Sequence, residues 1–408
     1  MTRGEAAKPG VGSSRGDRAP RPDAGELSPS TLMREAAERT GQQDWGEKAF
    51  VEPLTLLVES CRATGRLNQT GWRVLRSILL RHLRNRLAVQ AHLAREPAAA
   101  EVPLTGPVVI TGLPRTGTSL LHGLLAQDPR HRYLRLWEAL RPIPPEAGQG
   151  PDEATLVEQA ETWLERFYAL TPGFRSVHPL TPRGPEECDA LLQNAFASQH
   201  LDDMFDAEAY SGWFYGGDLE REYAYYALQL RVLTRAREAD RPWVLKSPGH
   251  IGHLDSLLGA LPGARVLHCH RDPAQAVPSY ASLILTARRP NSDDVSPERV
   301  GEQALDRCQA ALARALAVRA GAAGERFFDV SFPALAADPI DTVARVYEWL
   351  GRRLDPAVEA AMRSWLADHP RDLHGAHRYD PRAFGLPADR VRGALGAYLD
   401  RFAPAISI

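Results

Sequence analysis

Residues Gly112-Leu-Pro-Arg-Thr-Gly-Thr-Ser119 set two glycines five positions apart, with one guanidinium and three hydroxyls among the residues that follow the first. A glycine turn that runs into a helix aims backbone N–H groups and the positive end of the helix at an anion, and Arg115, Thr116, Thr118 and Ser119 add side-chain donors. The geometry suits a phosphate. The frame of Gly, four residues, Gly is that of a Walker A loop, but Thr118 stands where that motif has lysine. A nucleoside triphosphatase also needs a second carboxylate and magnesium to neutralise its γ-phosphate. A sulfuryl group carries less charge, so arginine, lysine and backbone donors suffice for it without metal. The lysine is at hand in Leu245-Lys246-Ser-Pro-Gly-His250, where Lys246 ends the apolar run Trp243-Val-Leu. The carboxyl end of a strand in an α/β sheet points at the ligand crevice.

These groups need a sheet to hold them. Pro107-Val-Val-Ile-Thr, bounded by Gly106 and Gly112, predicts a buried parallel strand, and Ser119 to Gln127 predicts the helix after it. Further strands are expected at Trp243-Val-Leu, Ala264 to Cys269 and Arg326 to Val330, with helices near His253 to Leu261 and at Thr342 to Leu350. Strands alternating with helices give a parallel α/β sheet of the P-loop NTPase kind. Residues 1–27 are too poor in large apolar side chains to order themselves and read as a disordered tail. Residues 28–98 read as an N-terminal helical subdomain, with helical spacing from Phe50 to Ala94, and residues 99–408 as the α/β domain. Within it lie a helical insert at about 150–238 and a basic loop and helix at about 369–408. The insert carries Phe205, Tyr210, Trp213, Phe214, Tyr215, Tyr223, Tyr225 and Tyr226, either helix-packing core or an acceptor-binding wall.

Composition narrows the partners. With 49 basic and 51 acidic residues, no global field draws the chain to nucleic acid or anionic lipid, so any anion site is local. Four scattered cysteines, Cys61, Cys188, Cys269 and Cys308, form neither a disulfide framework nor a zinc site and fit a reducing cytoplasm. No signal-peptide h-region and no membrane-span-length apolar run is found, so the chain reads as a cytoplasmic protein.

Gly-Leu-Pro-Arg-Thr-Gly-Thr-Ser-Leu-Leu-His122 resembles the 5′-phosphosulfate loop of the bacterial sulfotransferases that use 3′-phosphoadenosine 5′-phosphosulfate (PAPS), relatives of the cytosolic and tyrosylprotein sulfotransferases. The resemblance implies that Arg115, Thr116, Gly117, Thr118 and Ser119 hold the 5′-phosphosulfate, with PAPS as co-substrate and no metal. It also implies a second motif, in which an arginine after a strand and a serine in the next helix bind the 3′-phosphate; here these are Arg271 and Ser279 in His270-Arg-Asp-Pro-Ala-Gln-Ala-Val-Pro-Ser279. Pro278 departs from that pattern and predicts a kink. Arg288 and Arg289 lie further on, either in reach of the same phosphate or a solvated pair. Leu-Lys246-Ser-Pro resembles the family segment whose lysine sits near the transferred group.

The base stays open between residues of different kinds. Glu138, in Leu-Trp-Glu138, resembles the catalytic glutamate of the tyrosylprotein branch, and His178 resembles a bacterial-family segment and titrates near neutrality. Glu138 is preferred, with His178 next. Glu186 and Glu187 also match, but a glutamate after proline at a helix start more often serves the helix dipole. His250 and His253, beside Lys246, are further candidates for the base, with capping or packing at a helix start as the alternative. Arg378, with His377 and Tyr379, matches in position the C-terminal loop that covers the nucleotide. Asp329-Val-Ser-Phe332 stands where relatives have a Tyr-Glu pair. The expected function is sulfuryl transfer to a hydroxyl or amine of a small-molecule, lipid or carbohydrate acceptor. The alternatives are a nucleotide-dependent kinase and a non-catalytic nucleotide-binding protein.

Overall fold

The computed structural model describes residues 27–145, 150–176, 179–236, 240–321, 324–370 and 379–406. The tail expected over residues 1–27 lies outside these except for Leu27, which is buried in the core. Helix α1 (Pro29–Thr40) opens on Ser28, whose hydroxyl accepts from Thr31 N at 3.2 Å, and closes on Gly41 in the left-handed region. The helical run expected from Phe50 to Ala94 is two helices, α2 (Val51–Ala63) and α3 (Gln69–Arg95). The break falls where Asn68 caps α3 by accepting from Gly71 N at 2.8 Å. Leu75, Leu79, Leu83 and Leu87 recur every fourth residue along α3 and are fully buried.

Strand β1 (Val108–Gly112) is buried at all five positions, as its apolar run requires, and leads through the glycine loop into α4 (Thr118–Leu125). Helices α5 (Leu136–Leu140), α6 (Glu153–Leu170), α7 (Asp189–Gln193), α8 (Gln199–Met204), α9 (Glu208–Gly216) and α10 (Glu220–Ala236) intervene before β2 (Val244–Lys246). Then come α11 (Leu254–Ala260), β3 (Arg265–His270), α12 (Pro273–Arg288), α13 (Pro297–Ala320) and β4 (Phe327–Ser331). Helices α14 (Phe332–Ala337), α15 (Pro339–Trp349), α16 (Pro356–Asp368), α17 (Ala388–Ala394) and α18 (Gly396–Ile406) complete the chain. The four strands are parallel in the order β2-β1-β3-β4. Because β1 has β2 on one side and β3 on the other, the loops after all three strands open onto one crevice at their carboxyl ends.

Two expectations resolve here. Phe205, Tyr210, Phe214, Tyr223, Tyr225 and Tyr226 are buried in the interior, so most of the aromatic cluster is core between helices and no acceptor wall. Pro278 lies inside α12, which continues unbroken from Pro273 to Arg288. Among the described residues no helix is long and apolar enough to cross a membrane. Close packing also sets a testable limit: a Cβ on Gly301 of α13 would stand 2.0 Å from the Phe384 carbonyl oxygen. Gly301→Ala is therefore expected to cost about 1–3 kcal/mol through overpacking, read as a lowered denaturation midpoint with an unchanged slope.

Candidate active site

The loop after β1 is built by backbone conformations that few residues adopt. Gly112 and Gly117 have φ of 147° and 90°, and a Cβ on them would meet the Cys269 carbonyl oxygen at 2.4 Å and the Phe332 ring at 2.7 Å. Arg115 takes φ 71° without being glycine, a conformation costing about 1–2 kcal/mol. That turn sends its guanidinium across to α12, where Nε donates to Ser279 Oγ at 3.2 Å. Arg271, after β3, donates from a terminal nitrogen to the Arg115 carbonyl at 2.9 Å. The structure thus brings together Arg115, Arg271 and Ser279 from two separate sequence motifs. Burial first, and then the charge of Arg271, hold the Arg115 pKa below its ordinary value. Two guanidinium groups forced together are a place for an anion. Tyr379 reaches the same corner by donating to the Gln275 carbonyl at 3.2 Å, whereas Arg378 and His377 lie outside the described residues.

The hydroxyls of the loop divide by role. Thr116 is fully buried and donates to the Leu113 carbonyl at 2.7 Å, so its side chain closes the turn. Thr118 is buried at the first position of α4, and Ser119 is exposed beside it. Ser119 Oγ accepts from Lys246 Nζ at 3.2 Å, which joins the end of β2 to the start of α4.

The other partner of Lys246 is Glu187, whose Oε1 stands 2.5 Å from the ammonium. Glu187 comes from the segment before α7, which is laid against the chain entering α5: Glu186 N donates to the Leu134 carbonyl at 2.8 Å and Trp137 N to the Pro182 carbonyl at 3.2 Å. Cys188 N then donates to the Lys246 carbonyl at 3.0 Å, fixing the register of the Glu187–Lys246 pair. The second carboxylate oxygen of Glu187 meets His200 Nε2 at 3.1 Å, and His200 Nδ1 faces Asp189 at 3.3 Å. Burial works against a charged His200, but the carboxylates of Asp189 and Glu187 outweigh it and push its pKa up to about 10. The outcome is an alternating row of charges, Lys246, Glu187, His200 and Asp189, with its first member at the loop.

Glu138 is placed differently. It is fully buried, its Oε2 accepts from Arg135 N at 2.9 Å at the start of α5, and its Oε1 accepts from Arg132 at 3.3 Å. No hydrogen bond links it to Lys246, Ser119 or Glu187. Glu187, weighed in the sequence as a dipole partner, stands instead at the lysine. Its only sequence signal is the Pro-Glu-Glu-Cys segment itself, since nothing in the spacing ties residue 187 to residue 246. His178 lies outside the described residues. His250 is a packing residue: its ring bridges Tyr223 OH at 2.8 Å and Cys188 Sγ at 3.1 Å, and burial lowers its pKa to about 3. His253 packs edge-on against Phe214 and is likewise lowered to about 3 by burial. Arg288 is bound internally to the Asp203 carbonyl at 3.1 Å and to Gln303 at 2.6 Å, and Arg289 is exposed, so the former is no phosphate ligand.

Among the described residues, His268, His270 and Asp329 offer ligand atoms within 4.8 Å of one another. The Arg319 guanidinium already donates to both His268 and Asp329, and Tyr398 and Asp329 take the two nitrogens of His270, which leaves a cation little room there.

Comparison with known proteins identifies relatives of this sequence and fold. Over 280 residues, 64% of this chain and 67% of the relative, the sequence is 26% identical to omega-hydroxy-beta-dihydromenaquinone-9 sulfotransferase Stf3 of Mycobacterium bovis, and equally to that of Mycobacterium tuberculosis. The fold superposes on sulfotransferase STF1 of Mycobacterium tuberculosis with a TM-score of 0.79 at 28% identity, over 90% of this chain and 98% of that one. Sulfotransferase STF9 of Mycobacterium avium gives 0.80 at 28% identity, over 92% and 97%. Residues 107–356, from the first strand past the last, match the model of the sulfotransferase family, and the chain belongs to that family.

Proposed function

We propose that this sulfotransferase takes its sulfuryl group from PAPS and passes it to a hydroxyl of a small molecule or lipid, with Glu187 as base and Lys246 as the cation at the point of transfer. The observation that carries the reading is the meeting of Lys246 with both Ser119 of the anion loop and Glu187. The donor set fits a nucleotide phosphorylated at both ends. Arg115, Gly117, Thr118 and Ser119 with the start of α4 would hold the 5′-phosphosulfate, Thr116 would keep the loop closed, and Arg271 and Ser279 would hold the 3′-phosphate beside Tyr379, joined by Arg378, its neighbour in sequence. An anion beside Arg115 and Arg271 relieves their mutual repulsion, which supports an anion site at this corner.

When bound, PAPS supplies the activated sulfuryl group. Glu187 would accept the proton of the acceptor hydroxyl during transfer. Lys246 and Ser119 place a positive charge and a hydroxyl donor where negative charge gathers on the departing phosphate oxygen. His200, charged and touching both Glu187 and Asp189, holds the Glu187 carboxylate in position. Glu138 and His178 are then the less favoured bases. No metal is needed in this scheme, because Lys246, Arg115 and Arg271 provide the positive charge. The Stf3 relative is named for a lipid with a terminal hydroxyl, which supports a hydroxyl acceptor of that kind. Four free, buried thiols fit a reducing cytoplasm.

Calorimetry with 3′-phosphoadenosine 5′-phosphate (PAP) and with ATP, without magnesium, tests the donor site. PAP is expected to bind in preference to ATP, with Arg115→Ala and Arg271→Ala each weakening it about ten- to hundredfold. A preference for ATP that requires magnesium would overturn the reading.

A further inference from the structure

We propose that a second cavity, between the N-terminal helices and α5 and α6, binds an amphipathic anion: a flat apolar or aromatic body carrying a carboxylate, sulfate or phosphate. The cavity measures about 430 Å³, within the range of small-molecule sites. Arg81, Arg84 and Asn85 of α3, Trp137 of α5, Arg141 at the end of α5, and Trp163 of α6 are among the residues lining it. Three arginines and two tryptophans face this space, and no carboxylate lines it among the described residues.

Arg81 carries the argument. Its guanidinium stands 5.7 Å from the centroid of the Trp163 ring, and its one polar contact is His82 Nε2 at 3.4 Å. It forms no ion pair among the described residues, and burial lowers its pKa to about 10. Arg81 is partly buried, and a guanidinium there with no counter-charge among the described residues favours an anion; its planar fork matches an oxyanion while the neighbouring ring matches a flat body. Trp163 is in turn stacked on Phe167 with 5.1 Å between ring centroids, so the aromatic wall is held in place. These residues lie apart from the motifs that form the donor site. The backbone of Trp137 is bonded to Pro182, in the strip of chain that leads to Glu187, so the cavity wall and the base share a support.

The test uses the full chain with 2-naphthyl sulfate as probe and neutral 2-naphthol as control, followed by calorimetry and tryptophan fluorescence. Binding of 2-naphthyl sulfate is expected, weakened about ten- to hundredfold in Arg81→Ala, partly restored in Arg81→Lys and reduced to a lesser degree in Arg84→Ala. Binding of 2-naphthol should change little across these variants, and unchanged PAP affinity would show each one folded. If 2-naphthyl sulfate fails to bind, or binds Arg81→Ala as tightly as the parent, the proposal is wrong whatever PAP does. If PAP fails to bind while the Arg81 dependence holds, the donor reading falls and the cavity stands. A labelling arm with sulfur-35 PAPS and 2-naphthol separates two sources of the same chemistry. Transfer to 2-naphthol that is lost in Arg81→Ala assigns the cavity to the acceptor side, and anion binding without transfer assigns it to a separate effector.

Discussion

Glu187→Gln is expected to lower kcat by about a hundred- to ten-thousandfold with little change in PAP affinity, whereas Glu138→Gln should stay within a few-fold of the parent. Glutamine keeps an oxygen for Lys246 Nζ, now 2.5 Å from the carboxylate, but it cannot take a proton from an acceptor hydroxyl. The two glutamates then separate by kind of damage. Glu138 is enclosed with Arg132, both side chains at 1% exposure or less, so Glu138→Ala takes the carboxylate from a buried ion pair and should cost about 3–5 kcal/mol of stability. Thermal unfolding and turnover measured on the same preparations decide the matter. Full loss of turnover in Glu138→Gln at an unchanged midpoint, with Glu187→Gln active, would return the base to the position that the Leu-Trp-Glu resemblance suggested.

The sequence was legible where chemistry is local. A β-branched run, a glycine turn and a helix start are neighbours in the chain, so β1, the anion loop and α4 could be read directly, and Lys246 followed from the rule that strands aim their carboxyl ends at the ligand. Convergence of Arg115 with Ser279 was implied only by resemblance, since 164 residues separate them. The contact of Glu187 with Lys246 was not legible because the two are 59 residues apart and meet only through the segment 182–187 lying against 134–137. No pattern of spacing encodes that pairing. The aromatic residues of the insert show the opposite failure. Their types suit both a binding wall and a core, and only the packing of α9 and α10 against the rest decides for core. Arg288 was read as a surface or phosphate residue, yet it is buried against backbone carbonyls of α8, which a charge pattern cannot reveal.

Lys246→Met should lower kcat by about a hundred- to a thousandfold, the cost of removing one preorganised donor from a site of developing charge. Methionine is apolar and unbranched, so it suits the buried position at the end of β2, where lysine is 1% exposed, and the fold should survive. Two effects are combined in that loss. One is the missing charge at the departing phosphate oxygen, and the other is the missing cation beside Glu187. The second has a signature of its own: without a nearby positive charge the carboxylate protonates more readily, so the acid limb of the pH–rate profile should move to higher pH. A pure leaving-group role would lower the profile without moving it. The double variant Lys246→Met with Glu187→Gln resolves the coupling. If the two residues act as one unit, the double loss should fall well short of the product of the single losses, and full multiplicativity would mean that their contact in the structure is not used in turnover.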